Sequence, residues 1–329
     1  MRREILHNRN IYIWRKLRCL MTYGALGVIG LIALWVGANI FELYSGQRIL
    51  PWDPYANCGT SVPQTLPKTI RVGLYEEFPN PWRLAKLQYV DFPVTLAIAA
   101  PSRAEFEERR AAILQTYPQV HEVYFWPLLA FKEGYYPGTW SDAAAIRRVA
   151  ADAKGIPVLW DLELPPKLRH PSIQSWPSNR AFLDHWLRNR KEPVDLWRSY
   201  AMMGLDPLFL RLIGMHFDPL EHPAVRLHLD LYAKKPGLSS ERMARVLRCG
   251  VERYGAQFIP SLGVLNDGEG PASFFITPER LRRDLYLARQ AGVGELWLFG
   301  VNGLNEAYVS AVRDTIPLES LARAPKARY

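Results

Sequence analysis

The sequence predicts an α/β protein, a (β/α)8 TIM barrel preceded by a single N-terminal transmembrane helix. Three observations predict it. Eight short apolar runs recur at near-regular spacing between residues 70 and 303. Stretches of helical period lie between most of them, so strand and helix alternate along the chain. Ahead of them all stands an uncharged segment of about the length needed to cross a hydrocarbon core of roughly 30 Å.

In chain order, residues 1–19 form a basic segment carrying Arg2, Arg3, Arg9, Arg15, Lys16 and Arg18 against the one acid Glu4. Leu20 to Phe41 is the expected membrane helix. Basic residues before it place the N-terminus in the cytoplasm and the barrel outside. The exit, Gly37-Ala38-Asn39-Ile40-Phe41-Glu42, is a poor small-x-small cleavage site, so the segment reads as an uncleaved signal anchor in the cell membrane. Residues 42–68, with Pro51, Pro54, Pro63 and Pro67, have no sustained period and read as a linker.

Residues 69–317 are the expected barrel. Its strands are assigned to Ile70–Glu76, Val94–Ala100, Glu122–Leu128, Pro157–Leu164, Leu210–Asp218, Val225–Tyr232, Gln257–Val264 and Glu295–Gly303. Helical periodicity covers Ala104–Thr116, Ala143–Ala153, Glu241–Tyr254, Glu279–Ala291 and Glu306–Thr315. Ser102 with Glu105 forms a capping box, and Thr277 before Pro278 places proline at a first helical position. Between strands four and five lies a long insertion, Pro165 to Pro207, with helical stretches at Ala181–Arg190 and Val194–Met203. Residues 318–329 form a short basic tail.

A barrel of this type needs roughly 250 residues, so the 329 present leave room for an anchor and linker but no second globular domain. Much of the formal charge of +9 sits in the first eighteen residues and serves topology. The remainder makes no basic stripe, which argues against a nucleic-acid partner. Of three cysteines, Cys19 sits at the cytoplasmic edge of the anchor. Cys58 and Cys249 either pair or remain separate thiols; spacing alone leaves both open.

Side chains alternate across a strand, so in a barrel one parity faces the helices and the other the lumen. In strand four, Val158, Trp160, Leu162 and Leu164 suit the helix side, which leaves Asp161 and Glu163 inward. In strand six, Leu227, Leu229 and Leu231 leave His228, Asp230 and Tyr232 inward. In the fifth run, Ile213, Met215 and Phe217 leave His216 and Asp218 inward, and strand one ends in Glu76 and Glu77. Several carboxylates gathered in one place raise one another's pKa and are costly to bury, so a fold keeps them mainly for chemistry. In barrels of this type the active site lies at the C-terminal ends of the strands.

Two carboxyl groups flanking a bond are what glycoside cleavage requires: one protonates the leaving oxygen, the other stabilises or attacks the anomeric carbon. Asp161 and Glu163 resemble the Asp-x-Glu end of the strand-four signature in chitinase-like barrel glycosidases. That resemblance implies Glu163 as the acid and Asp161 as the residue that positions the substrate amide. Asp230 and Tyr232 on strand six, and Trp297 on strand eight as a sugar-stacking floor, are also similar to that family. The chain departs from the fuller signature, with Ile156-Pro157-Val158-Leu159-Trp160 before the pair and Tyr124-Phe125-Trp126-Pro127 on strand three. The implied activity is therefore hydrolysis of an extracytoplasmic polysaccharide, with the sugar unspecified.

The catalytic candidates are Glu163, Asp161, Asp230 and Asp218. The substrate-binding candidates are Glu77, His216, His228, Tyr232, Trp126, Tyr135 and Trp297; Tyr135 with Tyr136 and Trp140, in the loop after strand three, reads as an aromatic platform. No cofactor is expected. Two alternatives remain at this stage. Glu163, His216, Asp218, His228 and Asp230 include types that bind Zn or Mn in metal-dependent barrel hydrolases and isomerases. A catalytically idle barrel would hold glycan on Trp126, Tyr135, Trp140 and Trp297.

Overall fold

The computed structural model describes residues 65–163, 170–199, 214–232, 238–265 and 275–320, with isolated positions at 30, 34, 35, 37, 38 and 58. The chain divides into two compact units, Met1–Trp52 and Asp53–Tyr329. Most of the expected anchor, Leu20 to Phe41, lies outside the described residues. Among those described, no helix is long and apolar enough to cross a membrane.

The second unit holds a closed barrel of eight parallel strands in sequential order. They are β1 (Arg71–Glu76), β2 (Val94–Ala100), β3 (Val120–Pro127), β4 (Val158–Asp161), β5 (Val194–Ser199), β6 (Val225–Asp230), β7 (Phe258–Gly263) and β8 (Glu295–Phe299). Around them stand α1 (Pro81–Leu84), α2 (Arg103–Thr116), α3 (Ala143–Asp152), α4 (His170–Arg188), α5 (Ser240–Tyr254), α6 (Pro278–Gln290) and α7 (Glu306–Thr315). Most helix starts are fixed by side-chain caps. Ser102 accepts from the Glu105 N–H, Asp142 from Ala145, Ser239 from Arg242, Thr277 from Arg280, and Asn305 from Ala307 and Tyr308. Each cap satisfies backbone donors that the first helical turn leaves without partners.

Seven strands fall within the expected runs, give or take their ends. The fifth does not. Gly214–Asp218 is irregular, Leu210 to Ile213 lie outside the described residues, and the fifth strand is Val194–Ser199. That segment, Val-Asp-Leu-Trp-Arg-Ser, has a charge on each face, which hides it from a search for apolar runs. Its Asp195 faces the lumen and meets Arg226, while Arg198 lies on the helix side and meets His216. The described part of what reads as an insertion holds α4, whose internal Pro177 interrupts the helical pattern, and β5, which replaces the start of the helical stretch expected over Val194–Met203.

Lumen packing alternates small against large. Ala97 and Ala99 on β2 make room for Trp126, Trp197 and Trp297 from β3, β5 and β8, with Tyr75, Tyr124, Leu159 and Ile259 completing the cluster. Gly73 is required by the same logic: a Cβ there would stand 2.1 Å from the Trp297 ring. Cys58 and Cys249 are joined by a disulfide, which ties the segment before β1 to α5.

Candidate active site

Beneath the site lies a buried polar ladder. Arg226 donates from Nε and Nη2 to the two oxygens of Asp195, each at 2.6 Å, from Nη1 to Glu295 at 3.0 Å, and from Nη2 to the Tyr124 hydroxyl at 3.0 Å. Arg71 meets Glu295 at 2.6 Å, and the Trp297 indole N–H donates to the same carboxylate at 2.9 Å. Asp195 continues upward to His228 Nε2 at 2.8 Å, and His228 Nδ1 lies 2.6 Å from the Tyr75 hydroxyl, itself 2.5 Å from Ser261 Oγ. Burial raises the Asp195 carboxyl, but Arg226 and then His228 outweigh it and hold it below the usual carboxylate range.

Above the ladder the strand ends deliver carboxyl groups to one region. Asp161 closes β4 and is buried, Glu163 follows two residues on and is partly exposed, Asp230 closes β6, and Glu77 follows β1. Burial first, then the charges of Glu163, Glu77 and Asp230, raise the Asp161 carboxyl well above its ordinary value. The Glu163 backbone N–H donates to Asp161, but Asp161 Oδ1 has no protein hydrogen-bond partner. Burial also raises Glu77, whose carboxylate accepts from the Tyr135 hydroxyl at 2.7 Å.

Aromatic groups enclose these acids. Tyr136 lies within reach of the charges of Glu77, Asp161 and Glu163, and Tyr232 within reach of Asp230, Glu163 and Asp161. Burial is the main cause that raises both phenols. Tyr135 adopts φ 64, a left-handed conformation that costs a non-glycine residue about 1 kcal/mol or more. The loop carrying it passes directly over strand four: a Cβ on Gly138 would stand 2.6 Å from the Glu163 carbonyl oxygen. Trp126 faces the lumen on β3, with an indole N–H that is buried and has no protein acceptor.

Four expected site residues lie elsewhere. Asp218 is outside the barrel wall, in the turn before β6, where its Oδ1 accepts from the Leu220 N–H and its Oδ2 from Arg253 at 2.8 Å. His216 sits in the same segment, 3.2 Å from Arg198 Nη1. Both follow from taking Leu210–Asp218 as a strand. His228 does face the lumen but is wholly buried, one layer below the acids, with each ring nitrogen facing a protein group. Trp297 is likewise fully buried under Tyr75, at 4.9 Å between ring centroids, so no sugar stacks on it; the next lumen residue up β8 is the partly exposed Phe299. Trp140 stacks on Trp176 at 5.6 Å.

Parity reasoning missed Tyr75, Asp195, Arg226 and Ser261. Asp195 and Arg226 were visible only as a pair of opposite charges on strands that prove adjacent, at the register Asp195 opposite Arg226. The residues proposed as metal ligands do not converge, because His216 and Asp218 are outside the wall. Among the described residues no group of three or more His, Cys, Asp or Glu side chains has metal-binding geometry.

No protein-family model and no curated protein matches the chain. Solved structures similar to it include a chitinase from Chromobacterium violaceum, at 12% identity over 75% of this chain and 99% of that one, with a TM-score of 0.46. A Bacteroides ovatus GH5 xyloglucanase has 9% identity over 75% and 74%, with a TM-score of 0.45. A D-allulose 3-epimerase from Methylomonas sp. has 12% identity over 76% and 99%, with a TM-score of 0.44. At these values the likeness selects no reaction.

Proposed function

We propose that this chain is a glycoside hydrolase-like enzyme that cleaves a glycosidic bond by carboxylate acid and base catalysis. The observation that carries the reading is Asp161: a buried carboxyl, raised by burial and by Glu163, whose Oδ1 has no protein partner. A buried polar atom left unpaired costs about 1–3 kcal/mol, and a ligand donor repays it. A sugar hydroxyl or amide N–H is such a donor. Glu163, more exposed and beside it, is the group we assign to protonate the leaving oxygen. Asp161 then orients the reacting sugar, with Asp230 and Tyr232 bordering it on the β6 side.

Trp126 offers its unpaired indole N–H to a sugar oxygen, and Tyr135, held by Glu77, supplies a wall. The substrate is a polysaccharide outside the cytoplasm and the enzyme is tethered to the cell membrane. The uncharged Leu20 to Phe41 segment supports the tether, and the Cys58–Cys249 disulfide fits an oxidising compartment.

The test is hydrolysis of a panel of bacterial polysaccharides and aryl glycosides by the full chain in detergent, alongside Glu163→Gln and a chelator-treated sample. Chelator-resistant turnover lost in Glu163→Gln is expected. Chelator-sensitive turnover overturns the carboxylate reading, and glycan binding without turnover makes the chain a binding module.

A further inference from the structure

At the end of the barrel opposite the strand-end acids, a cavity of about 520 Å³ opens between α3 and α4. Lys154, just before β4, and Arg190, just before β5, both line it, which places it at the N-terminal ends of those strands. Ala150 and Ala151 on α3, with Phe182 and Trp186 on α4, make much of its wall apolar. Its volume falls within the roughly 300–1,000 Å³ of sites that hold small organic ligands.

The charge on this wall is one-sided: Arg147, Lys154, Arg190 and Lys191 stand against the acid Glu192. Arg147, Lys154 and Lys191 form no ion pair among the described residues. Arg190 is a buried cation, with 5% of its side chain exposed and Glu192 4.0 Å away. Its Nη1 and Nη2 donate to the carbonyl oxygens of Ala153 and Ile156 at 3.0 and 2.5 Å, its guanidinium lies 4.8 Å from the Trp186 ring centroid, and its Nε has no protein acceptor. Burial lowers its pKa, and Glu192 offsets this only in part. Ala153 is the C-cap of α3, so a cation is favoured there by the helix dipole. The two carbonyls hold the guanidinium in place but do not cancel its charge, and a charge so far out of water is screened much less than one on the surface.

We propose that this cavity is a binding site for an organic anion with an apolar body, the head group met by Arg190, Lys154 and Lys191 and the body by Ala150, Ala151, Phe182 and Trp186. A neutral ligand of the same shape leaves Arg190 without a counter-charge, and a small inorganic anion leaves the apolar wall in water. Both features of the ligand are therefore required. The site is independent of Asp161 and Glu163 and of the reaction assigned to them.

The experiment is calorimetric titration of the full chain in nanodiscs of zwitterionic lipid, with empty nanodiscs as the blank. The probes are 2-naphthoate, the neutral 2-naphthol and inorganic phosphate. Saturable one-to-one binding is expected for 2-naphthoate, with 2-naphthol and phosphate at least about tenfold weaker. Ala151→Leu, which narrows the cavity from an exposed helix position and leaves every charge, is expected to weaken 2-naphthoate about tenfold, as is the pair Lys154→Gln with Lys191→Gln. Arg190→Met should abolish binding; were that variant not to fold, the exposed substitutions decide the question alone. Absence of 2-naphthoate binding at millimolar concentration overturns the proposal. So does equal binding of 2-naphthol or of phosphate, or 2-naphthoate binding unchanged in Ala151→Leu and in the lysine pair.

Discussion

Arg226 and Asp195 face each other across β5 and β6 as a bidentate pair, Nε to Oδ1 and Nη2 to Oδ2, both at 2.6 Å. The carboxylate is wholly buried, and the arginine also reaches Glu295 on β8 and the Tyr124 hydroxyl on β3, so one guanidinium joins four strands across the lumen. Removing one partner of a buried pair strands the other's charge, at about 3–5 kcal/mol. Arg226→Met is expected to lose that much in denaturant unfolding. Asp195→Leu in the same chain should recover part of it, since the stranded acid is then gone.

The pH dependence of stability has two opposing parts. Asp195 is depressed in the folded state, so its contribution is present above the ordinary aspartate pKa of about 3.9 and is lost as pH falls through its lower folded value. Asp161 is raised, so the folded state holds a proton that the unfolded chain releases, and stability declines as pH rises from about 4 toward the folded value. Asp161→Asn is accordingly expected to be more stable than wild type at pH 7, with the gain vanishing near pH 3. Thermal unfolding at both values checks it.

Gly73 and Trp297 cannot both be enlarged. A methyl at position 73 would lie 2.1 Å from the indole, on a strand whose backbone is fixed by pairing with β2 and β8. Gly73→Ala is expected to destabilise the barrel by about 1–3 kcal/mol, read as a lower denaturant midpoint at unchanged slope.

Gly138 makes a separable prediction, because its crowding is against the Glu163 carbonyl rather than the core. Gly138→Ala should shift the proposed acid and lower kcat while the denaturant midpoint stays within about 1 kcal/mol of wild type. Loss of stability in parallel with activity would place the effect in the fold instead.

The Cys58–Cys249 bridge spans 191 residues of sequence. Closing so long a loop removes freedom from the unfolded chain, and the usual yield is about 2–4 kcal/mol. Cys249→Ser, or reductant added to the wild type, is expected to lower the melting temperature, and reductant should have no further effect on the variant.

Most of the barrel was legible because apolar parity and turn residues are local signals. Strand five was not: Asp195 is paid for by Arg226, a residue thirty-one positions away, and no local pattern records that partnership. With Leu210–Asp218 taken as a strand, parity points His216 and Asp218 into the lumen, whereas the turn before β6 holds both outside. Asp161, Glu163 and Asp230 were legible from alternation at strand ends, and Glu77 only as one of two acids that end strand one. Trp297 shows the limit of the same reasoning, since parity gives the face of a strand but not the height in the lumen, and it is Tyr75 from β1 that covers the indole.

The assignment of Glu163 as the acid is tested most directly by leaving-group dependence. For Glu163→Gln, hydrolysis of the polysaccharide is expected to fall about 10²–10⁴-fold, while an aryl glycoside whose phenol leaves without protonation retains near wild-type bond cleavage. Equal loss on both substrates, or no loss on either, would contradict a proton-donating role for Glu163.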